Sequence, residues 1–178
     1  MRSAGLLVYR LAVSSGDVEE LEVLAVHPGG PLWAKKDAGA WSIPKGEHAS
    51  EEDALECAKR EFEEELGIAV PGGPLLDLGE VVQRGGKRIR AWALEGDVDI
   101  EKISSNEFEM QWPPRSETVR SFPEVDRAGW FSAQEAREKL NPAQGAFVER
   151  LVGLLGVLGR PATAGDSGGS DVGEEAAK

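Results

Sequence analysis

The stretch from Gly46 to Ile68, GEHASEEDALECAKREFEEELGI, limits what this chain can fold into more than any other. Leu55, Ala58, Phe62 and Leu66 recur at helical spacing and define a buried stripe, while Glu61, Glu64 and Glu65 fall off it. Side chains three and four apart are neighbours on a helix, so these glutamates share one face beside Arg60. Both ends are marked: Ser50 with Asp53 makes a pair resembling a capping box, and Gly67 stands where a left-handed C-terminal residue is wanted. The acidic face has two readings. It is either an ordinary solvated surface, since like charges at these spacings cost only about 0.2 to 0.5 kcal/mol per pair, or a set of hard oxygen ligands for a cation.

Around this helix the chain reads as α/β. Residues 3–12 and 19–27 are expected as paired strands around Ser14 to Asp17. A glycine-rich loop over 28–40 carries Trp33, Lys35 and Lys36 into a short strand at Trp41 to Ile43, and Pro44, Lys45 and Gly46 turn the chain into the helix. A second hairpin is expected from 75–83 and 87–95 around Arg84, Gly85 and Gly86. Its cations Arg84, Lys87, Arg88 and Arg90 are either a clamp for substrate phosphates or charges that protect a sheet edge. NEFEMQW alternates, with Glu107, Glu109 and Gln111 on one side and Phe108, Met110 and Trp112 on the other. The proline-punctuated WPPRSETVRSFPEVD is expected as a loop able to cover a site, and 127–131 as a strand. Ser132 with Glu135 caps one helix, and Asn141 with Pro142 opens a last one reaching about Leu158. The domain is thus residues 1–158, and 159–178, rich in Gly, Ser, Ala and acidic residues without apolar periodicity, is expected as a disordered tail.

The central stretch matches the Nudix box, G-x5-E-x7-R-E-U-x-E-E-x-G-U with U bulky and apolar. Gly46, Glu52, Arg60, Glu61, Phe62, Glu64, Glu65, Gly67 and Ile68 fill its fixed places. The chain therefore resembles the Nudix hydrolase family. That resemblance implies an α/β/α sandwich around a mixed central β-sheet and a Mg2+ site, with Mn2+ as the alternative. It implies Glu61, Glu64 and Glu65 as the metal carboxylates, Gly46 as a carbonyl ligand, and Arg60 as the residue that steadies a neighbouring glutamate. The general base stays open, because members of the family differ. A carboxylate bound to magnesium is a weak base, which makes the off-helix Glu107 and Glu109 candidates beside Glu61 and Glu64. Glu52 is expected to pair with Arg60 and Cys57 to be buried packing, while His27 and His48 have no partners at ligand spacing and are assigned no role. Lys45 is either a phosphate contact or a solvated loop lysine, and Trp33, Trp41 and Trp112 either stack a nucleobase or fill the core.

Trp41-x-x-Pro44-Lys45-Gly46-Glu47 is similar to the box entry of dinucleoside polyphosphate hydrolases and of some nucleoside triphosphate pyrophosphohydrolases. FPEVDRAGWF and NPAQ also resemble a bacterial subgroup of nucleotide pyrophosphohydrolases. The tyrosine beyond the box that is typical of diadenosine polyphosphate enzymes is missing, since the chain's tyrosine is Tyr9. The proline of ADP-ribose enzymes is absent as well, and Gln111-Trp112-Pro113 is only a fragment of the NADH-type signature. The expected reaction is water attack on phosphorus in a nucleoside triphosphate or dinucleoside polyphosphate, with a nucleotide-sugar or ADP-ribose substrate as the alternative. A ligand sensor on this fold would carry a DNA-binding appendage or a degraded box. An isoprenoid diphosphate isomerase would need a cysteine and histidine metal set, and the chain has one Cys and two His.

Composition narrows the partners. A formal net charge of −12 disfavours nonspecific nucleic-acid binding and leaves a small-molecule substrate as the expected partner. The lone Cys57 excludes an intrachain disulfide and suits a reducing cytosol. The apolar start is cut short by Arg10, too early for a signal peptide or a membrane span, so a soluble cytoplasmic protein is expected, either monomer or homodimer.

Overall fold

The computed structural model describes residues 1–14 and 18–156. The expected turn at Ser15 to Asp17 and the expected tail lie outside the described residues. Strands β1 (Arg2–Ser14), β2 (Val18–Pro28), β3 (Lys45–Glu47), β4 (Leu75–Val82), β5 (Arg88–Glu95) and β8 (Val125–Ser132) form one sheet in the order β4-β5-β1-β2-β8, with β3 paired to β1. The sheet is mixed: β1 and β5 run parallel, and the other pairs run antiparallel.

Strand alternation sends two apolar sets to opposite faces. Leu7 and Tyr9 of β1 with Ile89, Ala91 and Ala93 of β5 face helices α2 (Ala133–Lys139) and α3 (Gly145–Leu155), which bury Ala136, Phe147, Val148 and Leu151 against them. Ala4, Leu6 and Val8 face the other way, onto Cys57, Ala58, Phe62 and Leu66 of helix α1 (Ala54–Leu66). The result is the α/β/α sandwich, with the acidic helix on one side of the sheet and α2 and α3 on the other.

The site depends on an irregularity at the sheet's centre. β2 pairs with β1 only from Tyr9↔Val23 outward, and nearer the start of β1 its place is taken by β3, with Ser3↔Glu47, Ala4↔Gly46 and Gly5↔Lys45. Residues 41–47 fill the gap. Leu6 N–H donates to Pro44 C=O at 3.1 Å, and Val26 and Ser42 exchange backbone bonds of 2.9 Å. The strand expected at Trp41 to Ile43 is therefore reduced to isolated bridges, and the regular strand falls on Lys45 to Glu47, where a turn was expected.

Helix α1 also starts later than expected. Its N-cap is Asp53, whose Oδ1 accepts from Leu55 N–H at 2.9 Å and Glu56 N–H at 3.0 Å, so Ser50 is not the cap. Asp53→Ala is expected to destabilise the fold by about 1 kcal/mol, and Ser50→Ala by a few tenths at most, read from urea unfolding. Equal losses would put the cap at the wrong residue. Gly67 closes the helix at φ +66°, and a Cβ there would also meet Ser104 O at 2.4 Å.

The proline-punctuated segment is not all loop. Val119–Pro123 forms β7, paired with β6 (Glu107–Gln111) in a separate two-stranded sheet. The capping box of Ser132 and Glu135 is present, whereas the last helix begins at Gly145 and ends at Leu155 rather than running from Pro142 to Leu158. Among the described residues no helix is long and apolar enough to cross a membrane.

Candidate active site

Strand β3 and helix α1 bring the box residues together. Gly46 lies so close beneath α1 that a Cβ there would sit 1.8 Å from Glu61 Cδ, so only a glycine leaves room for that carboxylate. The Gly46 carbonyl faces the Cys57 thiol at 3.9 Å, and Cys57 is fully buried packing, as expected. Arg60 Nη1 donates to Glu61 Oε1 at 2.8 Å and to Glu64 Oε2 at 2.9 Å, while its Nη2 reaches Glu52 Oε1 at 3.2 Å. One guanidinium thus ties the helix entry to two carboxylates of the acidic face. Glu65 turns the other way and accepts the Lys45 backbone N–H at 3.1 Å.

The electrostatics reveal a member that sequence reasoning missed. Burial pushes the Glu65 carboxyl up to about 7 despite the nearby Lys45, and the charges of Glu61 and Glu124 add to the rise. Glu61 is raised as well, first by burial and then by Glu64 and Glu124, against the pull of Arg60. Burial draws Arg60 down, but Glu61, Glu52 and Glu64 outweigh it and hold the guanidinium above its ordinary value. Glu124 stands at the junction of β7 and β8, held there by Glu124 N–H to Asn106 C=O at 2.8 Å and Gly29 N–H to Glu124 C=O at 2.9 Å. The available signal was an acidic residue just ahead of the last strand, in FPEVD.

The other expected positions divide. Glu107 is exposed and accepts the Ser121 hydroxyl at 2.7 Å, and Glu109 is exposed on the same small sheet. Glu124 is an off-helix carboxylate whose charge acts on both Glu61 and Glu65. Arg88 and Arg90 are held across the hairpin by Glu80 and Asp77, and Arg90 also covers Trp92 at 5.2 Å. They satisfy charges of β4, as the edge-protecting alternative expects, and Lys87 links this hairpin to β3 through Glu47 at 3.1 Å.

Lys45, lowered by burial, stands between two cavities. The smaller, of about 60 Å³, is walled by Glu65, Glu124 and Val26; the larger, of about 200 Å³, by Trp33, Gln83, Asn141 and Gln144. Gln144 is fully buried, and its Oε1 accepts Ile43 N–H at 2.9 Å, which ties α3 to residues 41–47. Trp33 is exposed, with Lys36 Nζ 4.4 Å from its ring. Trp41 is buried in the core, its ring in edge contacts with His27 and Phe131 and its Nε1 donating to Asp37 at 2.8 Å, and it also lines the larger cavity. Trp112 is half-buried at the end of β6 and lines neither cavity.

The donor set fits a hard divalent cation in kind. It is all oxygen, and the Glu65 carboxyl, raised to about 7 by burial first and then by the charges of Glu61 and Glu124, is a place where a bound cation would favour the ionised form. Among the described residues no three acidic, histidine or cysteine side chains converge tightly enough to enclose an ion; Arg60 bridges Glu61 and Glu64, and Glu65 is engaged by the Lys45 amide.

The family model for the NUDIX domain matches residues 9–151. The chain belongs to the Nudix family and is a Nudix hydrolase. A search of curated proteins finds no match. Among solved structures, the chain is similar to a binary complex of Caenorhabditis elegans Ap4A hydrolase, with TM-score 0.56, 20% identity and coverage of 87% of this chain and 97% of that one. A MutT/Nudix family protein from Listeria innocua gives 0.54, 17%, 87% and 93% in the same order. The NUDIX domain of Shewanella oneidensis NrtR, complexed with ADP ribose, gives 0.54, 12%, 87% and 88%. Identities this low establish the shared fold.

Proposed function

We propose that this enzyme hydrolyses a pyrophosphate bond in a nucleoside triphosphate or dinucleoside polyphosphate with the help of Mg2+, or Mn2+ in its place. The observation that carries the reading is the crowd of Glu61, Glu65 and Glu124, with Glu65 held near 7, directly beside Gly46 and Lys45. Glu61, Glu64, Glu65 and the Gly46 carbonyl would hold the cation. When bound, it supplies neutralisation of the charge on the phosphate oxygens.

The remaining work falls to the protein. Glu124, off the helix and exposed, takes the proton of the attacking water. The water oxygen bonds to phosphorus as the bond to the bridging oxygen breaks, leaving two phosphorylated products. Arg60 keeps Glu61 and Glu64 in place, Lys45 contacts a phosphate, and the 200 Å³ cavity with Trp33 receives the nucleoside end. A nucleotide sugar or ADP-ribose would use the same carboxylates and differ only in what fills that cavity; the likeness to a domain complexed with ADP ribose supports keeping this second reading. The net charge and the single cysteine support a cytoplasmic setting.

A metal titration tests the site. Magnesium at a hundred times its dissociation constant should add about 2.7 kcal/mol of stability, a rise of roughly 5–10 °C in Tm for a chain of this size. Chelator should abolish both the rise and the turnover. Product identification across triphosphates, diadenosine polyphosphates and nucleotide sugars then names the substrate, and turnover that ignores chelator would reject the reading.

A further inference from the structure

His27 is fully buried and takes no part in the chemistry above. Both its ring nitrogens are engaged all the same. Nδ1 lies 2.7 Å from Asp126 Oδ1, and Nε2 lies 2.8 Å from the carbonyl oxygen of Lys36. A carbonyl oxygen and a carboxylate oxygen only accept, so Nε2–H donates to Lys36 and Nδ1–H to Asp126, which secures the opposite side of the ring. The Trp41 ring closes over the imidazole edge-on, with centroids 5.2 Å apart, and Arg127 Nε stands 3.5 Å from the same Asp126 oxygen.

The partners come from two sides of the candidate site. Lys36 belongs to the loop whose Trp33 walls both the 200 Å³ cavity and an apolar one of about 170 Å³ beside Phe108 and Met110. Asp126 follows Glu124 closely at the start of β8, and His27 sits where the pairing of β2 with β8 becomes irregular, His27↔Arg127 giving way to Pro28↔Val125. The backbone bonds donated within 30–36 stay inside the loop, from Trp33 N–H to Gly30 C=O at 3.2 Å and from Lys36 N–H to Trp33 C=O at 2.8 Å. The His27 ring ties Lys36 to the sheet, next to Asp37, whose carboxylate accepts from Trp41 Nε1 and pairs with Lys139.

We propose that His27, oriented by Asp126, is a positioning residue for substrate binding: it pins the Lys36 carbonyl and so holds Trp33 in place as the cavity wall. The proposal rests on the reading that this cavity receives the nucleoside end of the substrate. Orientation rather than charge is what the pin needs. An asparagine at 126 keeps an oxygen that can accept from Nδ1–H while Nε2 still donates to Lys36, whereas an alanine leaves the ring without its second hold.

Asp126→Ala and His27→Phe are therefore expected to raise KM roughly three- to tenfold, the range one net hydrogen bond supports, with kcat changed by less than about twofold. Asp126→Asn should restore the parental KM. Hydrogen exchange without substrate should quicken over residues 30–36 in Asp126→Ala and stay unchanged in α1. The exchange measurement needs no turnover, so a wrong substrate reading would leave it intact and the two failures can be told apart. Unchanged exchange over 30–36, a fall in kcat with KM unmoved, or an Asp126→Asn enzyme as impaired as Asp126→Ala would each overturn the proposal.

Discussion

Replacing Glu64 and Glu65 together by glutamine is expected to lower kcat by about a thousandfold or more, corresponding to about 4 kcal/mol of lost transition-state stabilisation. The substitution keeps size and hydrogen-bonding reach and removes only charge. Glu64 is exposed against Arg60 and Glu65 is enclosed beside Lys45, so no apolar packing is lost with either. Stability should move the other way. The carboxyl of Glu65 is raised to about 7, so the folded chain holds that proton more tightly than the unfolded one, and ionising it as pH rises toward 7 works against folding. The double variant should therefore melt no lower than the parent above neutral pH. Steady-state kinetics with a melting curve checks both, and turnover within about tenfold of the parent would mean that these charges are not what drives the chemistry.

Gly46→Ala is expected to separate folding from function just as sharply. The added Cβ would collide with the Glu61 carboxyl, its Cδ at 1.8 Å and Oε2 at 1.9 Å. Those atoms are the far end of a flexible side chain, so the fold can yield by swinging Glu61 aside. β3 tolerates an alanine, and the stability change should stay below about 1 kcal/mol. The displaced carboxylate leaves its position between Arg60 and Gly46, and kcat should fall about a hundredfold, in line with the sensitivity of catalysis to misplacement of about 1 Å. A Gly46→Ala enzyme with parental kcat would show that Glu61 does not act from the place it occupies here.

How much of this was legible beforehand depends on how far apart the partners lie along the chain. Helix α1 could be read from Ala58, Phe62 and Leu66, each four residues from the next, and its end from Gly67. Its start could not, because Ser50 and Asp53 are both good caps; the chain leaving β3 makes a further turn, Glu52 N–H to Ala49 C=O at 3.3 Å, before the helix begins. β3 was hidden because Pro44-Lys45-Gly46 looks like turn chemistry, and only the partners Ser3 to Gly5 make it a strand. The fate of Arg88 and Arg90 was within reach: folding 75–83 onto 87–95 brings Glu80 and Asp77 within diagonal reach of them, and two cations of a cluster that is basic in sequence are paired across strands. Glu124 and the His27–Asp126 pair were not, since their neighbours come from strands and loops far away in sequence, where no local period reports them.

Residues 41–47 form an inlay keyed into the sheet along both of its margins, by Pro44 to Leu6 on one side and Ser42 to Val26 on the other. The 28–40 loop thus begins and ends at fixed anchorages, and the register of Lys45 and Gly46 beneath α1 is set by their pairing with Gly5 and Ala4 of β1 and by the Lys45 N–H bond to Glu65. Lengthening, shortening or rewriting the loop would leave that register untouched. What such a chain selects and what it then does to its cargo are, for this reason, free to diverge in evolution independently of each other.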